Sequence, residues 1–333
     1  MGSIRLRMKQ TFNASSLDSS LPLRFEGKVQ SVFSKAFNIR TKENELISIV
    51  ATEKLNGPNR ILLKLPEDED FISFGIKKEA RAVGTTQKIS INNGNFLISL
   101  REAKKWSPKV EIEKKRPSSR VRDNLASLQK DFSTEKEKNK KASPITRGEP
   151  CFLSSFENSI SQELRIRTQE LTKSIKERNL PEVSKNIKRL IGFGEGLTPS
   201  GDDFLVGLIA SLHFLGNSES QHLLKKIKRI INLEKEKTTF LSGKFLEYAC
   251  QGRFPETILY LIEAIFSGSR QGTEKTARRC LDFGATSGRD TLLGIVGGLD
   301  LIVQSPMSKV QCPNGVSKGK WETGEKGKII SNV

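Results

Sequence analysis

The chain has 333 residues, 35% hydrophobic and 28% charged, with 56 Lys+Arg against 38 Asp+Glu and a formal net charge of +18. That length predicts about two domains with cores of their own. The absence of a leader-like apolar segment and of any apolar run of membrane-spanning length points to a cytoplasmic protein without a membrane span. Cys151, Cys250, Cys280 and Cys312 are far apart with no CxxC pair, which fits free thiols rather than a disulfide framework or a zinc site. The charge is uneven: +7 over 1–106, +5 over 107–150, +3 over 151–305 and +3 over 306–333. No nucleic-acid reading module accompanies it, so the excess reads as solvated lysine and nucleic-acid binding is disfavoured.

In chain order, residues 1–24 are polar and weakly patterned and predict a flexible entry. Residues 25–106 read as short strands: Val29 to Ile39, Leu46 to Val50 and Ile61 to Leu65, with the turn cluster Asn56-Gly57-Pro58-Asn59 before the third. Lys88 to Ile91 and Phe96 to Leu100 flank Asn92-Asn93-Gly94-Asn95, a hairpin signal. The expectation is a small antiparallel β-sheet or barrel. Residues 107–150 carry dense charge and few apolar residues, and predict a largely disordered linker with a helical turn near Leu125 and Leu128. From Cys151 the apolar period becomes helical, and 151–305 predict an all-α domain. The Gly/Lys/Ser-rich stretch 306–333 predicts a disordered tail. The fold class is α+β, a β-rich domain followed by an all-α domain.

The most informative stretch is Gly192-Phe193-Gly194-Glu195-Gly196-Leu197-Thr198-Pro199-Ser200-Gly201-Asp202-Asp203, which runs into an apolar helix. Alternating glycines before a helix N-terminus suit close backbone approach to an anion. The pattern returns 87 residues later: Ser200-Gly201-Asp202-Asp203-Phe204-Leu205-Val206-Gly207 aligns with Ser287-Gly288-Arg289-Asp290-Thr291-Leu292-Leu293-Gly294. Ser-x-x-Asp is also a capping box, which accounts for Ser200 with Asp203 and Ser287 with Asp290 without a ligand. Capping leaves Asp202, the three alternating glycines and the interior glycines Gly207 and Gly294 unexplained. An interior helix glycine costs roughly 1 kcal/mol against alanine, so close helix approach is the expected compensation. The two helix N-termini are therefore expected to converge and bring Asp202 or Asp203 near Asp290.

Only two histidines are present, His213 and His222, and neither lies in a motif. That disfavours a Ser-His-Asp triad or a histidine metal site. Gly192-x-Gly194-x-Gly196 is not GxGxxG, and no Walker lysine follows. The inventory left is carboxylates, hydroxyls and backbone amides. Asp202, Asp203 and Asp290 can accept amide hydrogens or hold Mg²⁺, the one candidate cofactor.

The glycine stretch through Gly207 resembles the signature of the DUF2877 family, which includes the AllH-type subunit of oxamate carbamoyltransferase. Thr238-Thr239 through Gly252-Arg253-Phe254, Gly284 through Gly294, and Ser31 to Ile39 with Gly57-Pro58-Asn59 resemble further family blocks. The resemblance implies carbamoyl transfer between phosphate and an oxamate-type amide in allantoin degradation, with partner subunits and small anionic substrates (carbamoyl phosphate, oxamate). On that reading Asp202, Asp203 and Asp290 are the catalytic candidates. Gly192, Gly194, Gly196, Thr198, Ser200, Gly201, Thr286, Ser287 and Gly288 are the ligand-binding candidates. The alternatives are a non-catalytic binding or scaffold subunit, and a divergent member acting on another small anion.

Overall fold

The computed structural model describes residues 10–52, 55–66, 69–109, 118–139, 159–215, 217–281 and 286–303, with the backbone alone for 130–139, 159–161, 302 and 303. The expected tail at 306–333 and much of the expected linker lie outside the described residues. The chain divides into two compact units, 1–111 with 251–259, and 112–250 with 260–333.

The first unit contains nine strands: β1 Gln10–Asp18, β2 Phe25–Phe33, β3 Ala36–Thr41, β4 Leu46–Ala51, β5 Arg60–Leu63, β6 Arg81–Gly84, β7 Lys88–Ile91, β8 Phe96–Ser99 and β9 Lys104–Trp106. Eight of them run in the order β5-β4-β3-β2-β6-β7-β8-β1, and a β1–β5 pairing closes the ring, with β9 added along β1. Two local devices set the register. Ser34 and Lys35 turn β2 into β3, where Phe33 faces Ala36. Asn92, Asn93 and Gly94 take φ of 52°, 56° and 92° between β7 and β8, the left-handed conformations that asparagine and glycine adopt most readily.

The expected barrel is present, with two departures. The pairings β4–β5 and β8–β1 are parallel, so the sheet is mixed rather than wholly antiparallel. It also begins at Gln10, inside the stretch expected to be a flexible entry. Half of β1 pairs with β8 and half with β5, so tertiary pairing holds a segment whose own pattern is weak. The barrel interior is filled. Phe37, Phe71, Ile39, Ile61, Ile89 and Ile98 are wholly buried, and the Phe12 and Phe96 rings stack at 4.9 Å. A small barrel so packed is a core, not a ligand cavity.

Within this unit Asp18 is completely buried and pairs with Arg253 at 2.6 Å. Asp18 also accepts the Asn59 amide at 2.7 Å, and Arg253 donates to Asn59 Oδ1 at 2.6 Å and Ser20 Oγ at 2.8 Å. Glu256 accepts from the Asn56 amide and side chain at 3.0 and 3.1 Å. The segment 251–259 is thus bound into the barrel unit through one buried ion pair and a set of loop hydrogen bonds.

The second unit is helical: α1 Ser119–Asn139, α2 Ser159–Lys176, α3 Leu180–Leu190, α4 Ser200–Leu215, α5 Ser218–Glu234, α6 Phe240–Cys250, α7 Glu256–Ser267, whose first turn is counted with the barrel unit, α8 Arg270–Leu281 and α9 Ser287–Val303. Helix α1 replaces the single turn expected in the charged linker. It buries Val121, Leu125 and Leu128 on one stripe, and Asn124 Nδ2 donates to the carbonyls of Ile265 and Gly268 at 3.0 and 3.2 Å. Helix α3 starts at an Asn179 cap that accepts the Glu182 amide at 3.2 Å, with Pro181 in the first turn. Helix α4 is buried from Gly201 to Leu212 on every face, the condition of a helix apolar all round at the centre of a bundle. It packs on α9, α6, α5 and α3. Among the described residues no helix is long and apolar enough to cross a membrane. Cys250 and Cys280 are free thiols, and Cys151 and Cys312 lie outside the described residues.

Candidate functional site

The centre of the helical unit is the contact between α4 and α9, and two glycines make it. A Cβ on Gly207 would stand 2.0 Å from the Thr291 carbonyl oxygen and 2.8 Å from the Ile295 nitrogen. A Cβ on Gly294 would stand 2.0 Å from the Phe204 carbonyl oxygen and 2.9 Å from the Leu208 nitrogen. Each glycine faces the residues that correspond, through the 87-residue shift, to those its counterpart faces. The helices therefore run side by side in the same direction about a local two-fold axis, and their N-termini meet.

At that end the side chains of the two helices meet. The Ser287 hydroxyl of α9 and the Thr198 hydroxyl stand beside the Asp203 carboxyl, and the Ser200 hydroxyl of α4 and the Thr286 hydroxyl beside that of Asp290, each holding its neighbour's pKa down. Thr198 Oγ1 and Ser287 Oγ lie 2.8 Å apart in a hydrogen bond. The two Ser-x-x-Asp segments are thus joined into one constellation, each serine beside the aspartate of the other helix. One oxygen of each carboxyl, Asp203 Oδ2 and Asp290 Oδ2, is buried with no hydrogen-bond partner.

The electrostatics follow from burial. Desolvation pushes the Asp203 carboxyl up to about 8, with the charges of Asp290 and Asp202 adding to the rise and the Ser287 and Thr198 hydroxyls opposing it. Desolvation also raises Asp290, against the adjacent Arg289 guanidinium and the Ser200 hydroxyl. Arg289 is buried and contacts Asp290 Oδ1 through Nε at 3.2 Å and a terminal nitrogen at 3.1 Å. Arg289 occupies the position that the repeat aligns with Asp202, so the two halves of the site differ in charge at that point.

Asp202 does different work. Its Oδ1 accepts the Gly192 amide at 2.9 Å, and its Oδ2 accepts Ser242 Oγ at 2.7 Å together with Thr238 Oγ1. Burial raises its pKa while these three donors oppose the rise. Both oxygens are occupied by protein groups, so Asp202 ties the glycine loop to the start of α6. Among the described residues no group of three or more His, Cys, Asp or Glu is arranged to hold a metal ion. Of the three aspartates that the sequence offers as candidate Mg²⁺ ligands, only Asp203 and Asp290 keep an oxygen open.

The glycines divide in the same way. A Cβ on Gly192 (φ +74°) would meet the Lys237 carbonyl at 2.4 Å, and one on Gly201 would meet the Leu190 carbonyl at 2.1 Å. The Gly201 amide donates to the Phe193 carbonyl at 2.8 Å. Both glycines are folding requirements of the loop. Gly194 (φ +118°) turns the chain against the Ser200 amide, while Gly196 (φ +87°) has nothing within 4 Å of its Cβ position. Glu195, Gly196 and Leu197 form the exposed tip of the loop. Thr239 Oγ1 anchors the tip by donating to the Leu197 carbonyl. Thr286 is exposed at the start of α9, where its carbonyl accepts the Asp290 amide at 3.0 Å. Gly288 is buried, and its carbonyl accepts the Cys280 thiol at 3.7 Å. Residues Gly284 and Ala285 lie outside the described residues.

Sequence reasoning did not single out Arg289, Thr238 or Ser242 as site residues. Arg289 could have been found from the mismatch it makes with Asp202 in an otherwise shared skeleton. The roles of Thr238 and Ser242 depend on the docking of α6 and leave no local signal. His213 sits on α4 with the backbones of Ala249 and Cys250 as hydrogen-bond partners, and burial lowers its pKa, as expected of a packing residue.

No solved structure matches the chain. A family model described as oxamate carbamoyltransferase subunit AllH matches residues 190–299, the span from the glycine loop through most of α9, and one for the AllH family N-terminal domain matches residues 4–105. Both halves of the fold are matched in the family's own order, and the chain belongs to the AllH family.

Proposed function

We propose that the chain is a cytoplasmic carbamoyltransferase subunit that moves a carbamoyl group between phosphate and the amide nitrogen of oxamate. In allantoin degradation the reaction runs from oxalurate and phosphate to carbamoyl phosphate and oxamate. The observation that carries this reading is the pair of buried, unpartnered carboxyl oxygens on α4 and α9 beside a glycine loop, in a chain of the AllH family. A scaffold subunit would have no use for two such oxygens, because an unsatisfied buried polar atom costs about 1–3 kcal/mol.

In the direction of oxalurate synthesis the amide nitrogen of oxamate attacks the carbamoyl carbon. A C–N bond forms and the C–O bond to phosphate breaks. The phosphate leaves with the bonding electron pair, and the nitrogen gives up one proton to Asp203. A carboxylate held up to about 8 is a far better base than an ordinary one at neutral pH. The amides at the loop tip and the two converging helix N-termini supply positive potential for the phosphate or carboxylate. Asp202 holds the loop in place for that role. The reverse reaction returns the proton from Asp203 to the departing oxamate nitrogen.

The test is release of carbamoyl phosphate from oxalurate by the complex of this chain with its partner subunits. Cleavage should depend on phosphate, and Asp203→Asn should lower the rate by roughly 10²- to 10⁴-fold, the usual worth of a positioned base. Phosphate-independent or absent cleavage removes the substrate assignment, and a wild-type rate in the variant removes Asp203 from the chemistry.

A further inference from the structure

We propose that Asp203 Oδ2 and Asp290 Oδ2 act as a two-point clamp for one planar NH₂, the terminal amino group of a ureido substrate, each oxygen taking one of its two hydrogens. This rests on the carbamoyl-transfer reading and assigns the part of the substrate that the two helices recognise. Three observations lead to it. Each carboxyl has a serine of the opposite helix beside it and one oxygen, Oδ2, buried and unpartnered. The reciprocal glycine contacts make the two carboxyls equivalent about one local axis, so their open oxygens belong to one site and not to two separate caps. Of the pair, Arg289 contacts only Asp290, so one carboxyl has a cationic partner and the other has hydroxyl neighbours alone.

The chemistry of the occupant follows from the donor count. Two open acceptors at one place call for a group with two hydrogens on one atom. A carboxylate oxygen or an unprotonated phosphate oxygen carries no hydrogen and would meet two acceptors. A hydroxyl carries one hydrogen and leaves the second oxygen unsatisfied. An ammonium carries three, of which two could be used here. A carbamoyl or ureido NH₂ has two in a plane and no charge, so it meets both oxygens without leaving a donor over. The anionic end of the same molecule then lies toward the glycine loop, away from the carboxyls. Asp202, whose oxygens are both occupied, contributes only its charge.

The experiment compares oxalurate with N-acetyloxamate, in which a methyl group replaces the terminal NH₂, by titration calorimetry on the full chain and on its complex with partner subunits. The expected result is a preference of roughly ten- to a hundred-fold for oxalurate, the worth of one or two hydrogen bonds to charged groups. Asp203→Asn and Asp290→Asn should each abolish most of that preference, because the amide presents a donor where an acceptor is needed. Infrared difference spectra of the unmutated protein give a readout independent of the variants' folding. Oxalurate should shift the protonated-carboxyl band and N-acetyloxamate should leave it in place. Equal binding of the two compounds, binding of neither, or an undiminished preference in both variants overturns the clamp. The last result would mean that the open oxygens satisfy each other by sharing a proton. Phosphate-dependent cleavage of oxalurate by the unmutated complex would survive equal binding or an undiminished preference. Binding of neither compound together with absent cleavage removes the carbamoyl-transfer reading as well, so the two fail distinguishably.

Discussion

Asp203 is the residue whose environment departs furthest from that of an ordinary carboxylate, and its stability effect has an unusual sign. The native group keeps its proton up to about 8, whereas in the unfolded chain it titrates near 3.8. Between those values the native state binds more protons than the unfolded one, so this group's contribution to stability is full below about 4 and is lost as pH rises through 8. Asp203→Asn removes the ionisation and keeps the shape. The variant should come closest to the wild type below about pH 4, already exceed it at pH 5, and exceed it by a growing margin at pH 7 and 9. Urea unfolding at pH 5, 7 and 9 reads this directly, and parallel stability curves for the two proteins would contradict it. The same residue should set the pH dependence of catalysis. In oxalurate synthesis, where Asp203 is the base, the wild-type rate should climb with pH and level off above about 8 as Asp203 ionises. In oxalurate cleavage, where it returns the proton, the rate should fall over the same range, and the Asn variant should lack both limbs. The sequence showed that Asp202, Asp203 and Asp290 were special but not how they divide. Adjacent aspartates at a helix start read alike, and only the docking of Thr238 and Ser242 onto one of them separates anchor from reactive group.

The repeated motif was the most legible element, because glycine at one position in two apolar helices has few explanations other than close approach. What the text could not show was the crossing of the caps. Ser-x-x-Asp has the same spacing whether the serine serves its own helix or the neighbour. The barrel was legible where its pairing is local, as at Asn92-Asn93-Gly94. It was illegible where strands far apart in sequence pair in parallel, as β8 does with β1. Helix α1 was under-read because its surface charge hid the short stripe Val121, Leu125 and Leu128. The glycine contacts carry a prediction of their own. Alanine at a helix interior normally gains roughly 1 kcal/mol over glycine, but at Gly207 or Gly294 the new Cβ meets backbone at 2.0 Å. Backbone cannot swing aside as a side chain does, so overpacking wins, with a net loss of about 2 kcal/mol at either site. The double variant should lose less than the sum, since separating the helices for one methyl makes room for the other. Gly297→Ala on α9 is the control, with nothing within 4 Å of its Cβ position, and should be neutral or stabilising. Thermal unfolding of the four proteins tests the argument, and a fully additive double variant would contradict the reciprocal contact.

At the scale of the whole molecule, chain order and structural unit do not coincide. Residues 251–259 are counted with the barrel unit although they follow six helices of the other, and no composition shift marks them. What fixes them is Arg253 on Asp18, a pair 235 residues apart with a wholly buried carboxylate. Breaking a buried pair from one side leaves an uncompensated charge and costs about 3–5 kcal/mol. Asp18 would keep the Asn59 amide and the Ser20 amide and hydroxyl, so Arg253→Met should fall near the lower end, about 3 kcal/mol. Removing the charge as well, in Asp18→Asn with Arg253→Met, should recover a large share of that loss, because the remaining groups are neutral and still hydrogen-bonded. Asp18→Asn alone should be the worse single variant in low salt, since it leaves the buried guanidinium without its counter-charge. Denaturant unfolding of the three variants separates these cases. If the double variant is as unstable as the worse single one, the ion pair is not what holds 251–259 in the barrel unit. The segment would then be held chiefly by the buried Phe254 and by the Glu256 hydrogen bonds to Asn56.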